Sequence, residues 1–427
     1  MRTRSLTVVS AAAVAVLVTA GCSSDSSSDD ADVRLTMTMW TSNPDQLALF
    51  EEIGDAFMEQ HPGVTEIEFE SLTLDQLDSV LTTRISADDS PDLTWLPVES
   101  SLEYIEAGAL VDVSDVLQNT EGYDYDDLVP ALHERWRVDD AQYGVPFSTG
   151  PLVMYYNKDL YAQAGVTSPD ELIAAGDWTW ESFRRVSKEL ADATGVPGYV
   201  VNDFEFKNWT RLLPILFAYG ASPWSDDASE CTADSPEFVE AMSLFHGMVY
   251  TDGSSPVPGE QADFWSGQAG ATTAFLSSNA LLEDAAFAWG IVPTPGGPAG
   301  EVQALGQAAI TVLSASRHQE AAQEFLAFLT NEENAASLAQ FWPPARTSLL
   351  EPSVLVGESA ILTEEVVQPI IEATKSTGQI FPVAVDNSGV ADALDSSLDE
   401  HVWQPAADLP AALAEVCDAI DPLLAGE

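Results

Sequence analysis

Basic residues are scarce in this chain of 427 residues. Lysine and arginine together number 15, whereas aspartate and glutamate number 69, so the formal net charge is −54. An acidic surface repels phosphate backbones and anionic lipid headgroups. The composition therefore argues strongly against nucleic acid and anionic membrane surfaces as partners. It also disfavours a highly anionic ligand, unless a local basic pocket overrides the field.

The motifs of common catalytic centres are also missing. The sequence contains no GxSxG, no GxxxxGK(S/T) and no HExxH motif. Its 5 histidines are dispersed and lack metal-ligand spacing. Acidic runs such as Asp88-Asp89 and residues 124–127 are candidates for calcium, but none follows the EF-hand pattern. We therefore expect no catalytic residue, no metal site and no cofactor.

The N-terminal apolar run is too short to span a membrane. Arg2 and Arg4 precede an uncharged run from Leu6 to Ala20, below the ~20 residues that a membrane-spanning helix needs. This pattern predicts a signal peptide over residues 1–21. The sequence Val18-Thr19-Ala20-Gly21-Cys22 resembles a bacterial lipobox, which implies cleavage before Cys22 and lipidation there. An ordinary signal peptide with a stray cysteine is the alternative.

Downstream of Cys22, the composition predicts a flexible tether over residues 22–34, because a run of Ser and Asp cannot build a core. The mature protein is then extracytoplasmic and lipid-anchored to the cell membrane. Two cysteines remain in an oxidising compartment, and the sequence predicts a disulfide between Cys231 and Cys417. Two buried free thiols are the alternative.

Strands and helices alternate in the first part of the mature chain. Residues 35–40, 64–69 and 93–96 have the pattern of strands, and the segments that begin at Asp45 and Leu74 have the pattern of helices. Such alternation predicts a parallel sheet. Ligands of such sheets bind at the carboxyl ends of the strands. The residues at those ends are Trp40, Thr41, Ser42, Trp95 and Glu99.

Three ordered segments together resemble the family 1 extracellular solute-binding proteins, which are sugar receptors of ABC importers. The first is Tyr156-Asn157-Lys158-Asp159-Leu160, followed by Ala164-Gly165-Val166 and Thr179-Trp180-Glu181. The second is Gly290-Ile291-Val292-Pro293-Thr294-Pro295-Gly296-Gly297. The third is Trp342-Pro343-Pro344-Ala345-Arg346-Thr347-Ser348. The resemblance runs from about Leu35 nearly to the C-terminus.

The resemblance implies an α/β type II periplasmic-binding-protein fold with two interleaved lobes and a hinge. Lobe one is expected over residues 35–147 plus 291–330. Lobe two is expected over residues 151–289 plus 343–427. The chain is expected to cross near residues 148–150, 290 and 331–342. Few crossings favour closure of the lobes about a ligand.

A sugar site needs flat aromatic platforms and a few fixed polar groups, because sugars present apolar C–H faces and rings of hydroxyls. The expected platforms are Trp40, Trp95, Trp342 and Trp209, although core packing is the alternative for any one of them. The expected polar groups are Thr41, Ser42, Asn43, Glu99, Ser148, Thr149, Ser277, Gln307 and Arg346. A phosphorylated ligand would need clustered basic groups, and only Arg346 and Lys207 are candidates. A neutral saccharide is therefore favoured.

The resemblance implies a monomeric receptor that is not an enzyme and that presents a carbohydrate, expected to be a neutral oligosaccharide, to the permease of an ABC importer. An extracytoplasmic glycosidase with paired carboxylates is one alternative, and a carbohydrate-sensing receptor is another. Turnover of labelled oligosaccharides distinguishes the glycosidase from a receptor that binds without turnover.

Overall fold

The structure of the chain is a computed structural model that describes residues 32–260, 262–357, 361–384 and 387–426. The predicted signal peptide and the predicted lipidation site at Cys22 lie outside these residues. The first strand begins at Val33, slightly before the predicted start of lobe one. In the described part of the chain, no helix combines the length and the apolar character that a membrane crossing requires.

The strands form two main sheets. In chain order they are β1 (Val33–Met39), β2 (Val64–Ser71), β3 (Leu93–Pro97), β4 (Arg137–Val138), β5 (Ala141–Gln142), β6 (Val145–Ser148), β7 (Leu152–Asn157), β8 (Val200–Val201), β9 (Ala271–Phe275), β10 (Trp289–Val292), β11 (Gln303–Leu305), β12 (Ala308–Val312) and β13 (Gly378–Ile380). The sheet of lobe one has the order β2-β1-β3-β12-β6, and that of lobe two the order β10-β7-β9-β8. Because β12 follows the strands of lobe two, the lobes are interleaved, as predicted.

The helices cover these sheets. In chain order they are α1 (Pro44–Gln60), α2 (Leu77–Ser86), α3 (Ser101–Glu106), α4 (Ser114–Asn119), α5 (Pro130–His133), α6 (Lys158–Ala164), α7 (Pro169–Ala174), α8 (Trp180–Thr194), α9 (Leu213–Ala218), α10 (Pro236–Tyr250), α11 (Gln319–Leu329), α12 (Glu332–Leu338), α13 (Pro352–Val356), α14 (Glu364–Thr377), α15 (Asn387–Ser397) and α16 (Leu409–Leu424). Short 3₁₀ turns lie at Leu74–Gln76, Val98–Ser100, Tyr125–Asp127, Glu134–Trp136, Trp209–Leu212, Leu276–Leu282 and Thr347–Leu349, and a π-helical turn lies at Leu398–Val402.

Local sequence explains where the first helix begins. The side chain of Asn43 accepts hydrogen bonds from the backbone N–H groups of Asp45 and Gln46, and Pro44 occupies the first helical turn. Phe50 and Phe57 then bury one face of α1 against the sheet of lobe one. This helix therefore follows the predicted pattern of cap, proline and apolar face.

The segment that carries the first family motif has equally clear local signals. Every residue of β7 is buried, as its β-branched and aromatic composition predicts. Asn157 caps α6, Gly165 ends it with φ +67°, and Thr179 accepts a hydrogen bond from the N–H of Ser182 to begin α8. The predicted strand and both predicted helices are present.

The sheet of lobe one differs from the prediction in strand direction. β1 pairs in parallel with β2 and β3, but β12 is antiparallel to both β3 and β6. The alternation of strands and helices holds only for the first three strands. Only β12 runs opposite to the other strands of this sheet, because it enters lobe one from the second crossing and not from a helix of that lobe.

The chain crosses between the lobes at three neighbouring segments. The N–H of Thr149 donates to the carbonyl of Pro343 at 2.8 Å, and the N–H of Gly306 donates to that of Gly150 at 2.9 Å. The crossing after β6 therefore runs through residues 149–150. The second crossing was predicted near residue 290, but the structure places it at residues 306–307.

The reason for this shift is strand pairing. Ile291 pairs with Tyr155 in β7, so β10 is an edge strand of lobe two. β11 also belongs there, because Gln303 pairs with Gly378 in β13. The assignment of residues 291–305 to lobe one was therefore wrong. The turn sequence that begins at Pro293 was read as a crossing, although it only connects two strands of lobe two.

The third crossing also differs from the prediction. Residues 344–348 were assigned to lobe two, but Arg346 forms a β-bridge with Leu128, and the N–H of Ser348 donates to the carboxylate of Asp127. Both partners lie in lobe one. The segment therefore still packs on lobe one, and the remaining predicted lobe boundaries stay a prediction.

Each lobe buries apolar side chains of its own. Phe50 and Phe325 lie in a cluster of lobe one, whereas Val153 and Ile370 lie in a cluster of lobe two. A larger cluster fills the other face of lobe two and continues across the hinge to Leu96. The structure also joins Cys231 to Cys417 in a disulfide, with Cα atoms 5.3 Å apart, which ties the loop before α10 to the C-terminal helix α16.

Candidate ligand-binding cleft

A cavity of about 350 Å³ lies between the two lobes. Its walls come from the carboxyl ends of β1 and β3, from the crossings, and from the 3₁₀ turn at Trp209–Leu212. The lining residues are Trp40, Leu74, Asp78, Trp95, Pro97, Glu99, Phe147, Ser148, Gly150, Lys207, Asn208, Trp209, Thr210, Arg211, Phe275, Ser277, Gly306, Gln307, Ala308, Trp342, Ala391 and Asp395. Because both lobes contribute, the cavity changes shape when the hinge moves.

The wall from lobe one is aromatic. Trp95 is 1% exposed, and its ring contacts Trp40 at 5.2 Å, Trp342 at 5.4 Å and Phe147 at 4.8 Å between centroids. Trp40 and Trp342 are half-buried, so part of each ring faces the cavity. Offset and edge-on packing of this kind holds large rings in place. The two half-buried rings are rigid platforms, and Trp95 supports them from behind.

The wall from lobe two carries an arginine, Arg211, whose side chain is 10% exposed. The Arg211 guanidinium lies over the ring of Phe275, 4.8 Å from its centroid, and 3.9 Å from the Asp203 carboxylate. Beside it, Trp209 is 3% exposed and packs edge-on against Trp224 at 5.2 Å. The backbone N–H of Trp209 donates to Asp395 at 3.0 Å. Trp209 is therefore mainly a core residue with one edge at the cavity.

Burial governs the charges in the cleft. Burial raises the pKa of Glu99. A backbone hydrogen bond and the positive charge of Arg211 lower this pKa and so offset part of the rise. Burial lowers the pKa of Arg211. The negative charges of Asp203 and Glu99 raise this pKa and so offset part of the decrease. Burial also raises the pKa of Asp395 to about 6, against the effect of the hydrogen bond from Trp209. Glu99 and Arg211 line the cavity from opposite lobes, and their charges attract each other across it.

Buried polar atoms of the cleft are left without partners. Within the described residues, the indole Nε1 of Trp95, the Nε of Arg211 and the Oε1 of Gln307 have no hydrogen-bond partner. The amide Nε2 of Gln307 donates to the carbonyl of Leu132 at 3.2 Å, which orients the amide. An unpaired buried polar atom costs about 1–3 kcal/mol. A ligand or water molecule with both donors and acceptors would remove this cost.

The structure brings most of the predicted ligand residues to this cavity. They are Trp40, Trp95, Glu99, Ser148, Trp209, Ser277, Gln307 and Trp342. Thr41, Ser42, Asn43 and Thr149 do not line it. Asn43 instead caps α1, and Thr149 donates its backbone N–H to Pro343 at the hinge. Thr41 bonds through its hydroxyl to the side chain of Gln46.

The prediction for Arg346 was wrong. Its side chain is 1% exposed and donates to the backbone carbonyls of Thr330 at 3.0 Å, Asp124 at 3.0 Å and Tyr123 at 2.9 Å. It also pairs with the carboxylate of Asp127 at 3.3 Å. All of these partners lie in lobe one. The guanidinium joins segments of that lobe with four of its five N–H donors, and it does not line the cleft.

Sequence reasoning did not single out Phe147, Arg211, Phe275, Asp78 or Asp395 as ligand residues. Arg211 follows Trp209 closely, so a search for basic residues near the candidate platforms would have found it. Phe275 ends β9, beside the predicted Ser277. Asp78 and Asp395 carry no local signal, because only the packing of α2 and α15 against the cleft brings them to it. Among the described residues, no group of three or more His, Cys, Asp or Glu could hold a metal ion.

The fold and the cleft define a two-lobe receptor for a small polar solute. The model of the family "Bacterial extracellular solute-binding protein" matches residues 40–336, and the chain belongs to this family. The chain is 25% identical over 326 residues to the arabinooligosaccharide-binding protein of Halalkalibacterium halodurans, across 72% of this chain and 69% of that protein. It is 22% identical over 291 residues to the diacetylchitobiose binding protein of Streptomyces coelicolor, across 64% of each chain.

Solved structures share the fold over nearly the whole chain. The ABC substrate-binding protein from Listeria monocytogenes, in complex with cycloalternan, superposes with a TM-score of 0.80 at 23% identity, over 92% of this chain and 99% of that one. The cyclic alpha-maltosyl-1,6-maltose binding protein from Arthrobacter globiformis superposes with a TM-score of 0.76 at 20% identity, over 93% and 100% of the two chains. The two-lobe fold is therefore confirmed.

Proposed function

We propose that this protein captures a neutral saccharide in the cleft between its lobes and delivers it to the permease of an ABC importer. Membership of the extracellular solute-binding family supports a binding role without catalysis. The curated relatives at 25% and 22% identity bind arabinooligosaccharides and diacetylchitobiose, which supports a carbohydrate. Fold similarity alone would not separate a sugar from another small solute.

One observation of the cleft carries the proposal. Trp40 and Trp342 present ring surface to the same cavity in which Trp95, Arg211 and Gln307 leave polar atoms unpaired. An aromatic ring packs against the apolar C–H face of a pyranose or furanose. The hydroxyls on its edge donate and accept at once, so they can satisfy both the N–H donors and the amide oxygen.

The charges of the cavity favour a neutral ligand. Arg211 and Lys207 are its basic residues, but Arg211 already lies near the carboxylates of Asp203 and Glu99. Asp78, Glu99 and Asp395 place acidic groups in the same lining. A phosphorylated sugar would meet more carboxylates than free cations, in a protein whose net charge is −54. Strong anion binding needs the reverse balance.

The rest of the proposed cycle follows from the hinge. The three crossing segments are short and hydrogen-bonded side by side, so rotation there opens and closes the cleft without unfolding either lobe. A lipid on Cys22 and a tether that ends before β1 would hold the closed receptor near its permease as a monomer. Replacing Cys22 by Ser should release the protein from the membrane fraction into the medium.

Binding and turnover measured on the same saccharides test the proposal. We expect calorimetry and thermal-shift assays to identify a mono- or oligosaccharide that binds and raises the melting temperature, because it binds only the folded state. We also expect chromatography of labelled saccharide after long incubation to show no product. Release of shorter sugars would indicate a glycosidase. A screen in which sugar phosphates bind and neutral sugars do not would contradict the proposal.

A further inference from the structure

A second cavity, of about 950 Å³, lies entirely within lobe two. It is bounded by β10, β11, α14 and the turn that precedes α8, and no residue that lines it also lines the cleft. We propose that this cavity is a second binding site, for a neutral polyhydroxylated ligand. The inference does not depend on what the cleft binds.

Two buried acceptors in the lining lack partners. Thr294 is 4% exposed and Gln303 is 1% exposed, and the Oγ1 of the first and the Oε1 of the second have no hydrogen-bond partner among the described residues. The Nε2 of Gln303 donates to the carbonyls of Leu152 and Ala304, so the amide cannot turn to satisfy its oxygen. A buried acceptor of this kind calls for a hydroxyl or N–H donor from a bound molecule.

Aromatic surface lies beside these acceptors. Trp289, at the start of β10, is half-buried and lines the cavity. Trp178 lines it as well, and its indole N–H donates to the carbonyl of Pro293 at 2.8 Å, which holds the ring in place. Rings with fixed orientation next to unpaired acceptors suit a ligand that has one apolar face and several hydroxyls.

The charges around the cavity select against ionic ligands. The acidic residues in its lining, Asp170, Glu301, Glu365 and Glu372, are all exposed at the rim. The basic residue there, Lys158, lies 3.9 Å from the carboxylate of Asp170. An anion would therefore be repelled. A buried ammonium would need a buried carboxylate beside it, and the lining contains none.

Water is the competing occupant, because two unpaired acceptors could bind ordered water instead of a sugar. Thr272 provides a matched control for this. It is 1% exposed, its Oγ1 also lacks a partner, and it lines a different cavity of lobe two. A Thr→Val change at position 272 or 294 therefore removes one unpaired buried hydroxyl in each case. Only the change at 294 should affect a ligand in the second cavity.

Indole resonances of the ¹⁵N-labelled mature protein provide the test, with D-glucose as the probe. The Trp289 signal, identified by its loss in Trp289→Phe, reports on the second cavity, and the signals of Trp40 and Trp342 report on the cleft. We expect a saturable shift of the Trp289 signal. Thr294→Val should weaken that affinity about fivefold to tenfold, as expected for one lost hydrogen bond. Thr272→Val should leave it unchanged.

A blocking variant keeps the test decisive if Thr294→Val fails to fold. Ala373 lies on α14, lines the cavity and is partly exposed, so Ala373→Trp fills the cavity from a helix surface. This change should abolish the Trp289 shift. A Trp289 signal that does not saturate, or that shifts equally in Ala373→Trp, overturns the second site. Shifts of Trp40 and Trp342 without one of Trp289 also overturn it, and they leave the proposed function of the cleft standing.

Discussion

Trp95 supports the cleft rather than contacting the ligand broadly, because four aromatic rings surround it. Phe50 packs against it at 5.5 Å, in addition to the rings of Trp40, Trp342 and Phe147. Replacing a buried tryptophan by alanine typically costs ~3–5 kcal/mol of stability. Replacing a half-buried platform ring should instead mainly weaken the affinity for the saccharide.

We therefore expect Trp40→Ala and Trp342→Ala each to weaken saccharide binding by about 2 kcal/mol, as for an aromatic hot spot, in proteins that stay folded. Trp95→Ala should lower the free energy of unfolding by about 3 kcal/mol or more. Calorimetry and urea titration separate the two effects. Trp265→Ala is the control, since this half-buried ring lies outside the cleft. Wild-type affinity in both platform variants would place the ligand elsewhere.

Arg346 is expected to determine the stability of lobe one. Breaking a buried, paired charge costs about 3–5 kcal/mol, because its partners are left unsatisfied. Arg346→Ala should therefore lower the free energy of unfolding by about that amount, measured by urea titration. Arg346→Lys should lose part of it, because an ammonium cannot reach three carbonyls as a guanidinium fork does.

Arg317→Ala is the matched control for Arg346. The side chain of Arg317 is 70% exposed and pairs with an Asp88 that is 82% exposed, so the substitution should leave stability almost unchanged. If Arg346→Ala were as stable as Arg317→Ala but lost saccharide binding, the role of Arg346 would be in the ligand site after all.

Asp395 should make stability depend on pH in a defined window. Its pKa is about 6 in the folded protein, against an ordinary value of 3.8, so the folded state holds its proton more tightly. Its contribution to stability is therefore fully present below about pH 4 and is lost as pH rises toward 6. Asp395→Asn removes this loss, and its amide oxygen can still accept from the N–H of Trp209.

We expect the free energy of unfolding of Asp395→Asn to increase relative to that of the wild type as the pH rises from 4 to 6. Above pH 6 the difference between the two proteins should be constant. Urea titrations across this range measure it. A measurement about one pH unit below the ordinary pKa of 3.8 is an internal control, because the carboxyl is then mostly protonated in both the folded and the unfolded wild type. A difference that is the same at every pH would contradict the assignment.

At the scale of elements, the hinge depends on a close approach of two crossing segments. Gly150 has φ +52°, and a Cβ there would lie 1.6 Å from the carbonyl oxygen of Gly306. Gly165, which ends α6, has φ +67°, but a Cβ there would meet nothing within 4 Å. Both positions adopt the left-handed conformation that favours glycine. At Gly150 a side chain would also collide with the backbone of Gly306, whereas at Gly165 there is room for one.

We expect Gly165→Ala to cost about 1 kcal/mol, which is the cost of the left-handed conformation alone. Gly150→Ala should cost clearly more, because the crossing segments must separate and lose the hydrogen bond between Gly306 and Gly150. Urea titration compares the two variants. Small-angle scattering with and without saccharide should further show that Gly150→Ala alters closure. Equal costs at the two positions would contradict this account of the hinge.

At the scale of the whole molecule, like charges dominate. Acidic residues exceed basic ones by 54 (69 − 15), so most carboxylates have no cation to pair with. The salt bridges that do form lie mostly at the surface, and those contribute only about 0–1 kcal/mol each. Salt should therefore screen more repulsion than attraction.

The melting temperature should rise when sodium chloride increases from about 0.05 to 1 M, because the Debye length falls to about 3 Å at the higher concentration. Calorimetry measures this rise. Trimethylamine N-oxide of matched osmolality is the control, since it acts by exclusion, does not screen charge and is not a saccharide. A melting temperature that falls with sodium chloride would show that the few ion pairs outweigh the repulsion.

The sequence determined those features that depend on neighbouring residues. Asn43 with Pro44 set the start of α1, the composition of residues 152–156 set a buried strand, and Gly165 set the end of α6, because capping and backbone preferences act over a few positions. Trp40, Trp95 and Trp342 could also be predicted for the cleft. Trp40 directly follows β1, Trp95 lies close to the carboxyl end of β3, and Trp342 lies in a family motif.

Only the tertiary structure decided which side chains share a surface. Arg346 looked like a ligand donor, but its partner Asp124 lies 222 positions away. The crossing at Gly306 and the acid at Asp395 likewise carry no local signal. Pairing between distant strands and helices is set by the packing of whole faces, and single residues in sequence do not encode it. The sequence therefore predicts those cleft residues that lie at strand ends or in family motifs. The residues that distant segments contribute to the cleft can be identified only from the fold.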